Sequence, residues 1–176
     1  MAETTVKTFP APKELATPTD LSPDEVQRVT EAVNPLIADA FALFTKTKNY
    51  HWHLSGSHFR EYHEMLDEQA KQIRKTIDPM SERVRKVGGT TIRSISHISE
   101  LQTIDDDNDE FVHPGEMMRR LMEDNRQIAQ NVRSAHDVVE ECRDYPTSDL
   151  LESVLDGAEE RMWFLYEIVR GNDNTA

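Results

Sequence analysis

Hydrophobic residues recur along most of this chain in alternating steps of three and four, the spacing that lines one face of an α-helix. The first run sets Val26, Val29, Val33, Ile37, Ala40 and Phe44 on one stripe and leads toward His51. Ser22 can cap its start, Pro23 suits the first helical position, and Glu25 completes a capping box. Pro35 lies inside the run and predicts a kink, or a restart after Asn34. Residues 53–57 read as a turn, with Gly56 supplying backbone freedom. Phe59, Tyr62, Leu66, Ala70, Ile73, Ile77, Met80 and Val84 define a second helix, which Gly88-Gly89 should stop.

A long connection follows, with one short helix over residues 94–101 carrying Ile95, Ile98 and Leu101. Residues 105–110 hold five acids in six positions and predict a solvated loop. Pro114 can open a third long helix, with Met118, Leu121, Ile128, Val132, Ala135 and Val139 on its buried face. Tyr145-Pro146-Thr147 should break it, and Thr147 or Ser148 should cap the last helix. Leu151, Val154, Ala158, Leu165 and Val169 form the final stripe before Gly171. Four long helices with short first and last links and a long middle crossover predict an all-α four-helix bundle. The bundle is expected over residues 22–171, with a flexible Thr-, Pro- and Ala-rich tail over 1–21 and a short tail over 172–176.

Composition narrows the picture. A chain of 176 residues is long enough for one domain with a real core, and six glycines suit a helical protein. The net charge of −13 argues against broad nucleic-acid binding and for attraction of cations. No window approaches a membrane span, and the first residues lack a signal-peptide core. The single cysteine, Cys142, cannot form an internal disulfide, so a cytoplasmic location is expected.

The chemistry concentrates between His51 and Glu82. His63 and Asp67 are one helical turn apart, and so are Asp78 and Glu82. Histidine with carboxylate suits a redox-active transition metal better than a closed structural zinc site. Read singly, such pairs are ordinary features of a solvated helix; His51 at the end of the preceding helix makes the combination unusual. From Asp67 to Asp78 the helix rises roughly 16 Å, whereas ligand atoms sit about 2 Å from a metal. One chain therefore cannot place both on the same ion. Pairing this helix antiparallel with its copy brings the His63–Asp67 end of one chain against the Asp78–Glu82 end of the other. The two-fold axis then generates two equivalent sites.

The segment from Lys48 to Phe59, with His51-Trp52-His53 and Gly56, continues through Tyr62-His63 to Asp67 and resembles the signature of the Dps mini-ferritins. The resemblance runs from about Asp24 to Gly171. It implies a ferritin-like four-helix bundle assembled as a hollow homododecamer, with two-iron sites at the two-fold interfaces. By this resemblance His51, His63 and Asp67 would come from one subunit, and Asp78 and Glu82 from the other. The implied activity is ferroxidase: Fe(II) is oxidised to Fe(III), by hydrogen peroxide in preference to dioxygen, and stored as ferric mineral. No organic cofactor is called for. The ferritin alternative, paired Glu-x-x-His motifs within one bundle, finds only Glu110-Phe111-Val112-His113, ahead of Pro114.

Three further expectations complete the reading. Trp52, beside the first ligand, is expected to pack at the dimer contact, and could donate an electron when only one iron is present. Residues 141–160 hold seven acids and one base, which makes Asp144, Asp149 and Glu152 candidates for an iron-entry pore of the kind found in the family. DNA binding, the family's other role, commonly uses basic extensions. Here the first 25 residues offer only Lys7 and Lys13 against five acids, so DNA binding is expected to be weak or absent.

Overall fold

The computed structural model describes residues 11–172, an all-helical arrangement among those residues. A single 3-10 turn, Lys13–Leu15, precedes five α-helices. These are α1 (Pro23–His53), α2 (Phe59–Lys86), α3 (Ile95–Leu101), α4 (Pro114–Glu141) and α5 (Tyr145–Asn172). α1 packs against α2 and α4, and α5 closes the bundle against α4 and α2. The short α3 lies in the crossover and leans on α1. Val33, Ile37, Leu66, Ile73, Met118, Leu121, Val132, Leu151 and Leu165 lie in the shared core. Burying each such side chain contributes roughly 1.5–3 kcal/mol. The bundle with a long crossover is the expected architecture. Among the described residues no helix is long and apolar enough to cross a membrane.

The helix ends follow from local chemistry. Ser22 and Glu25 make the capping box at the start of α1. Pro35 does not restart that helix, which is continuous from Pro23 to His53. α2 stops where Gly88 takes φ 98° and the amide of Gly89 bonds back to the Val84 carbonyl at 2.9 Å. Gly89 is required for another reason: a Cβ there would collide with the Thr30 side chain.

α5 corrects the sequence expectation. It begins at Tyr145, so Thr147 and Ser148 lie inside its first turn instead of capping it. Asp144 does the capping: its carboxylate accepts from the Thr147 hydroxyl and from the Thr147 amide. The same carboxylate pairs with Arg83 of α2 and is buried. Arg143, with φ 55°, supplies the left-handed residue that ends α4.

The crossover also differs from a simple solvated loop. Asp39, fully buried in α1, accepts from the Thr103 amide at 2.5 Å and the Ile104 amide at 3.1 Å. It also accepts from the Thr103 hydroxyl at 2.9 Å and Asn131 Nδ2 at 3.1 Å. Asp107 turns inward to take the Tyr50 hydroxyl and the Arg120 guanidinium. Asp105, Asp106, Asp109 and Glu110 stay exposed, as a solvated acidic run should.

Residues 11–21 lie against the bundle. Thr17 donates its hydroxyl to the Arg85 carbonyl at 3.0 Å, and Arg85 Nη2 donates to the Leu15 carbonyl at 2.7 Å. The rest of the expected terminal tails, residues 1–10 and 173–176, falls outside the described residues.

Candidate metal centre

The last turn of α1 and the first turns of α2 run side by side, because the Leu54–His58 link is short and Leu54 is buried at its base. This places His51 directly on His63. Their rings stack with centroids 3.7 Å apart and planes inclined by 22°. Each ring is tied to the other residue's main chain: His51 Nδ1 donates to the His63 carbonyl at 2.9 Å, and His63 Nδ1 donates to the His51 carbonyl at 3.0 Å. A carbonyl can only accept, so both Nδ1 atoms carry a proton, and in the neutral imidazoles both Nε2 atoms keep a lone pair. Such main-chain bonds fix tautomer and ring orientation, as they do for metal-binding imidazoles. Phe59 extends the stack at 5.0 Å from His63.

Asp67 stands one turn beyond His63. Lys71 reaches Oδ2 at 2.6 Å and Lys48 reaches Oδ1 at 2.9 Å. Lys71 first, then Lys48, hold this carboxyl well below the usual carboxylate range, so Asp67 stays an anion. The charge suits a cation, yet any cation arriving there must displace two ammonium groups. Lys48 also lies 5.8 Å from the Trp52 ring centroid. Trp52 itself is 65% exposed.

The far end of α2 is barer. Asp78 is exposed, and among the described residues no hydrogen bond or ion pair reaches its carboxylate. Glu82 is exposed and pairs with Lys86 at 3.1 Å. Within a single chain the described residues gather no three histidine, cysteine or carboxylate side chains able to hold an ion. His51 and His63 are brought together, with Asp67 one turn further along α2 and held by lysines; Asp78 and Glu82 stand at the other end of the same helix, as the helical rise requires.

The other expected residues are more dispersed. Asp149 and Glu152 are exposed on the first turns of α5, and Glu152 Oε1 lies 3.4 Å from His136 Nε2. Asp144, grouped with them in the sequence, is occupied instead by its cap and by Arg83. Glu110 and His113 lie ahead of α4, with His113 at its N-cap. Lys48 was not legible as a partner of Asp67 because its approach depends on how α1 and α2 cross. Lys71 was legible, since Asp67 and Lys71 are an i,i+4 pair.

A family model described as a ferritin-like domain matches residues 30–172. A low temperature-induced protein of Nostoc sp. is 31% identical over 152 residues, covering 86% of this chain and 85% of that protein. DNA protection during starvation protein 2 of Bacillus anthracis is 27% identical, over 79% of this chain and 94% of its own length. Among solved structures, DpsC from Streptomyces coelicolor superposes with a TM-score of 0.86 at 30% identity, over 94% of this chain and 95% of that one. The chain belongs to the ferritin-like domain family, in its Dps branch.

Proposed function

We propose that this protein is a ferroxidase and iron store that oxidises Fe(II) with hydrogen peroxide at sites completed by a two-fold-related copy. The observation that carries this reading is the cross-bonded histidine pair. His51 and His63 hold each other's main chain through Nδ1, which leaves Nε2 of each neutral ring free, one helical turn before the anionic Asp67. The ligand types, imidazole and carboxylate, bind iron without themselves being oxidised, and the carboxylates offset the charge gained on going to Fe(III). Asp78 and Glu82 of the partner chain complete the set in an antiparallel pairing.

Two Fe(II) substrate ions each give up one electron. One peroxide takes both electrons and two protons, its O–O bond breaks, and it leaves as two waters. A paired site therefore avoids releasing hydroxyl radical. The ferric product is stored inside a hollow dodecamer; twelve chains of 20.3 kDa come to roughly 240 kDa. Asp149 and Glu152 are the pore candidates that remain exposed. Vibrio cholerae Dps, a fold-level neighbour at 23% identity, is described as belonging to a superfamily of ferritin-like diiron-carboxylate proteins.

The test is anaerobic Fe(II) titration of the purified particle followed by peroxide addition, with mass measured in parallel. Saturable binding and rapid peroxide-dependent oxidation by a particle near that mass are expected; oxidation no faster than in buffer would reject the proposal. The second reading, DNA association as the main role, is favoured by the names of the relatives, several of which are DNA protection during starvation proteins. The net charge of −13 repeated over an assembly weighs against it. A gel shift at neutral pH and physiological salt that vanished on deleting residues 1–20 would favour the DNA reading instead.

A further inference from the structure

A cavity of about 420 Å³ opens at the far end of α2, lined by Thr17, Ser81, Glu82, Arg85, Lys86 and Thr91. It is shallow and largely open, and its lining is mostly apolar although Glu82, Arg85 and Lys86 contribute to it. One wall comes from outside the bundle. Thr17 belongs to the segment ahead of α1, which Arg85 clasps through the Thr17 hydroxyl and the Leu15 carbonyl. The same guanidinium also donates to the Gly89 carbonyl, so one side chain joins the segment to the stop of α2.

The near end of α2 carries exposed aromatic rings. Phe59, stacked on His63, is 43% exposed, and Trp52, next to His51 in the chain, is 65% exposed. The antiparallel pairing sets His63 against the partner's Glu82, and Asp67 against the partner's Asp78. Phe59 lies one turn before His63, and Lys86 lies one turn after Glu82, so in that proposed register Phe59 falls opposite the partner's Lys86, at the cavity mouth. An aromatic face over aliphatic stems, with guanidinium and ammonium at the rim, combines apolar burial with cation–π attraction.

We infer that this cavity is the socket for the partner's Phe59, with the partner's Trp52 across its rim, and that the segment carrying Leu15 and Thr17 is a wall of the two-fold contact. The inference rests on the antiparallel site proposed above. It gives the segment before α1 a definite role, because the clasp that shapes the socket also lies beside the ligand Glu82.

Photo-crosslinking tests it. In the full chain, Phe59→p-benzoylphenylalanine keeps an aromatic ring at the position. Within one chain Phe59 and Lys86 are roughly 40 Å apart along α2, so any adduct between these ends joins two chains. Irradiation of the assembled particle should give adducts mapped by peptide mass spectrometry to residues 15–17 or 85–91. Interchain adducts elsewhere, or none, would overturn the socket. A second variant covers failure of that protein to assemble. In a Trp163→Phe background, which leaves Trp52 as the sole tryptophan, Thr17→Glu should shift Trp52 emission to the red. It should also raise the concentration for half-dissociation about ten-fold. Unchanged emission and association would overturn the proposal equally. Peroxide-driven iron oxidation, measured on the same samples, separates the two ideas: crosslinking without oxidation keeps the socket and rejects the iron reading.

Discussion

The carboxylates of this chain fall into two groups that look alike in the sequence and behave oppositely in the structure. Asp39 of α1, Asp107 of the crossover and Asp144 at the α4–α5 corner are each met by several donors. Along α2, Asp78 and Glu82 are exposed, and among the described residues only Lys86 pairs with either of them. The first group is internally satisfied and holds the fold. The second still has lone pairs to offer. Asp67 stands between: it is exposed enough to bind a cation, yet two lysines guard it. What separates a structural acid from a candidate ligand here is therefore the number of committed donors, not residue type or local acidity.

The comparison breaks most visibly at Asp39. Asp39→Ala leaves two main-chain amides, a hydroxyl and the Asn131 amide without their acceptor. The expected loss is about 3 kcal/mol, seen as a lower urea midpoint at unchanged slope. A midpoint within error of the parent would show that the crossover does not depend on this anchor. Glu82→Ala should do the reverse. Its stability should stay within about 0.5 kcal/mol of the parent, while the initial rate of peroxide-dependent Fe(II) oxidation should fall about 100-fold or more. Stopped-flow absorbance of the ferric product measures the rate, and a rate near that of the parent removes Glu82 from the ligand set.

Asp67 allows a graded version of the same test. Lys71→Met removes the nearer ammonium and leaves Lys48 in place. Cation binding at the His51–His63–Asp67 end should tighten, by roughly three- to ten-fold if about 1 kcal/mol of competition is relieved. Calorimetry with Fe(II) under anaerobic conditions reads this directly. Equal or weaker binding would mean that Lys71 supports the site instead of competing for it.

These contrasts also explain what the sequence could and could not disclose. Helix periodicity places the stripes of α1, α2, α4 and α5, because each helix buries one face and the spacing records which. The candidate pairs His63–Asp67 and Asp78–Glu82 were readable for the same reason, since i,i+4 spacing and helical rise are properties of one element; their role as metal ligands is the proposal made above. Partners joining different elements were not. Nothing local in the Asp105–Glu110 run singles out Asp107 as the acid that turns inward; that follows from Tyr50 and Arg120 meeting across the bundle. Asp144 likewise reads as part of an acidic stretch. It becomes a helix cap only when α5 begins at Tyr145 and Arg83 arrives from α2. The continuity of α1 through Pro35 shows packing overriding a local breaker.

The smallest effect lies at Glu116, a half-buried acid at the start of α4 that pairs with Arg119 and shares Arg120 with the crossover acids Asp107 and Asp109. The Arg119 hydrogen bonds, and next those of Arg120, depress its carboxyl from the usual glutamate value of 4.5 to about 2. A folded-state value below the unfolded one means that the native state favours the ionised form. The associated stability is thus fully present above pH 4.5 and is lost as pH falls toward 2. Glu116 is about a third exposed, so solvent screens the pair and the contribution should stay below about 1 kcal/mol. Glu116→Gln should accordingly lower the urea midpoint slightly at pH 7, and the difference from the parent should shrink steadily as pH drops through that window. A difference that persisted unchanged at pH 2 would mean that shape, not charge, is what Glu116 contributes. It would then belong with neither group of acids.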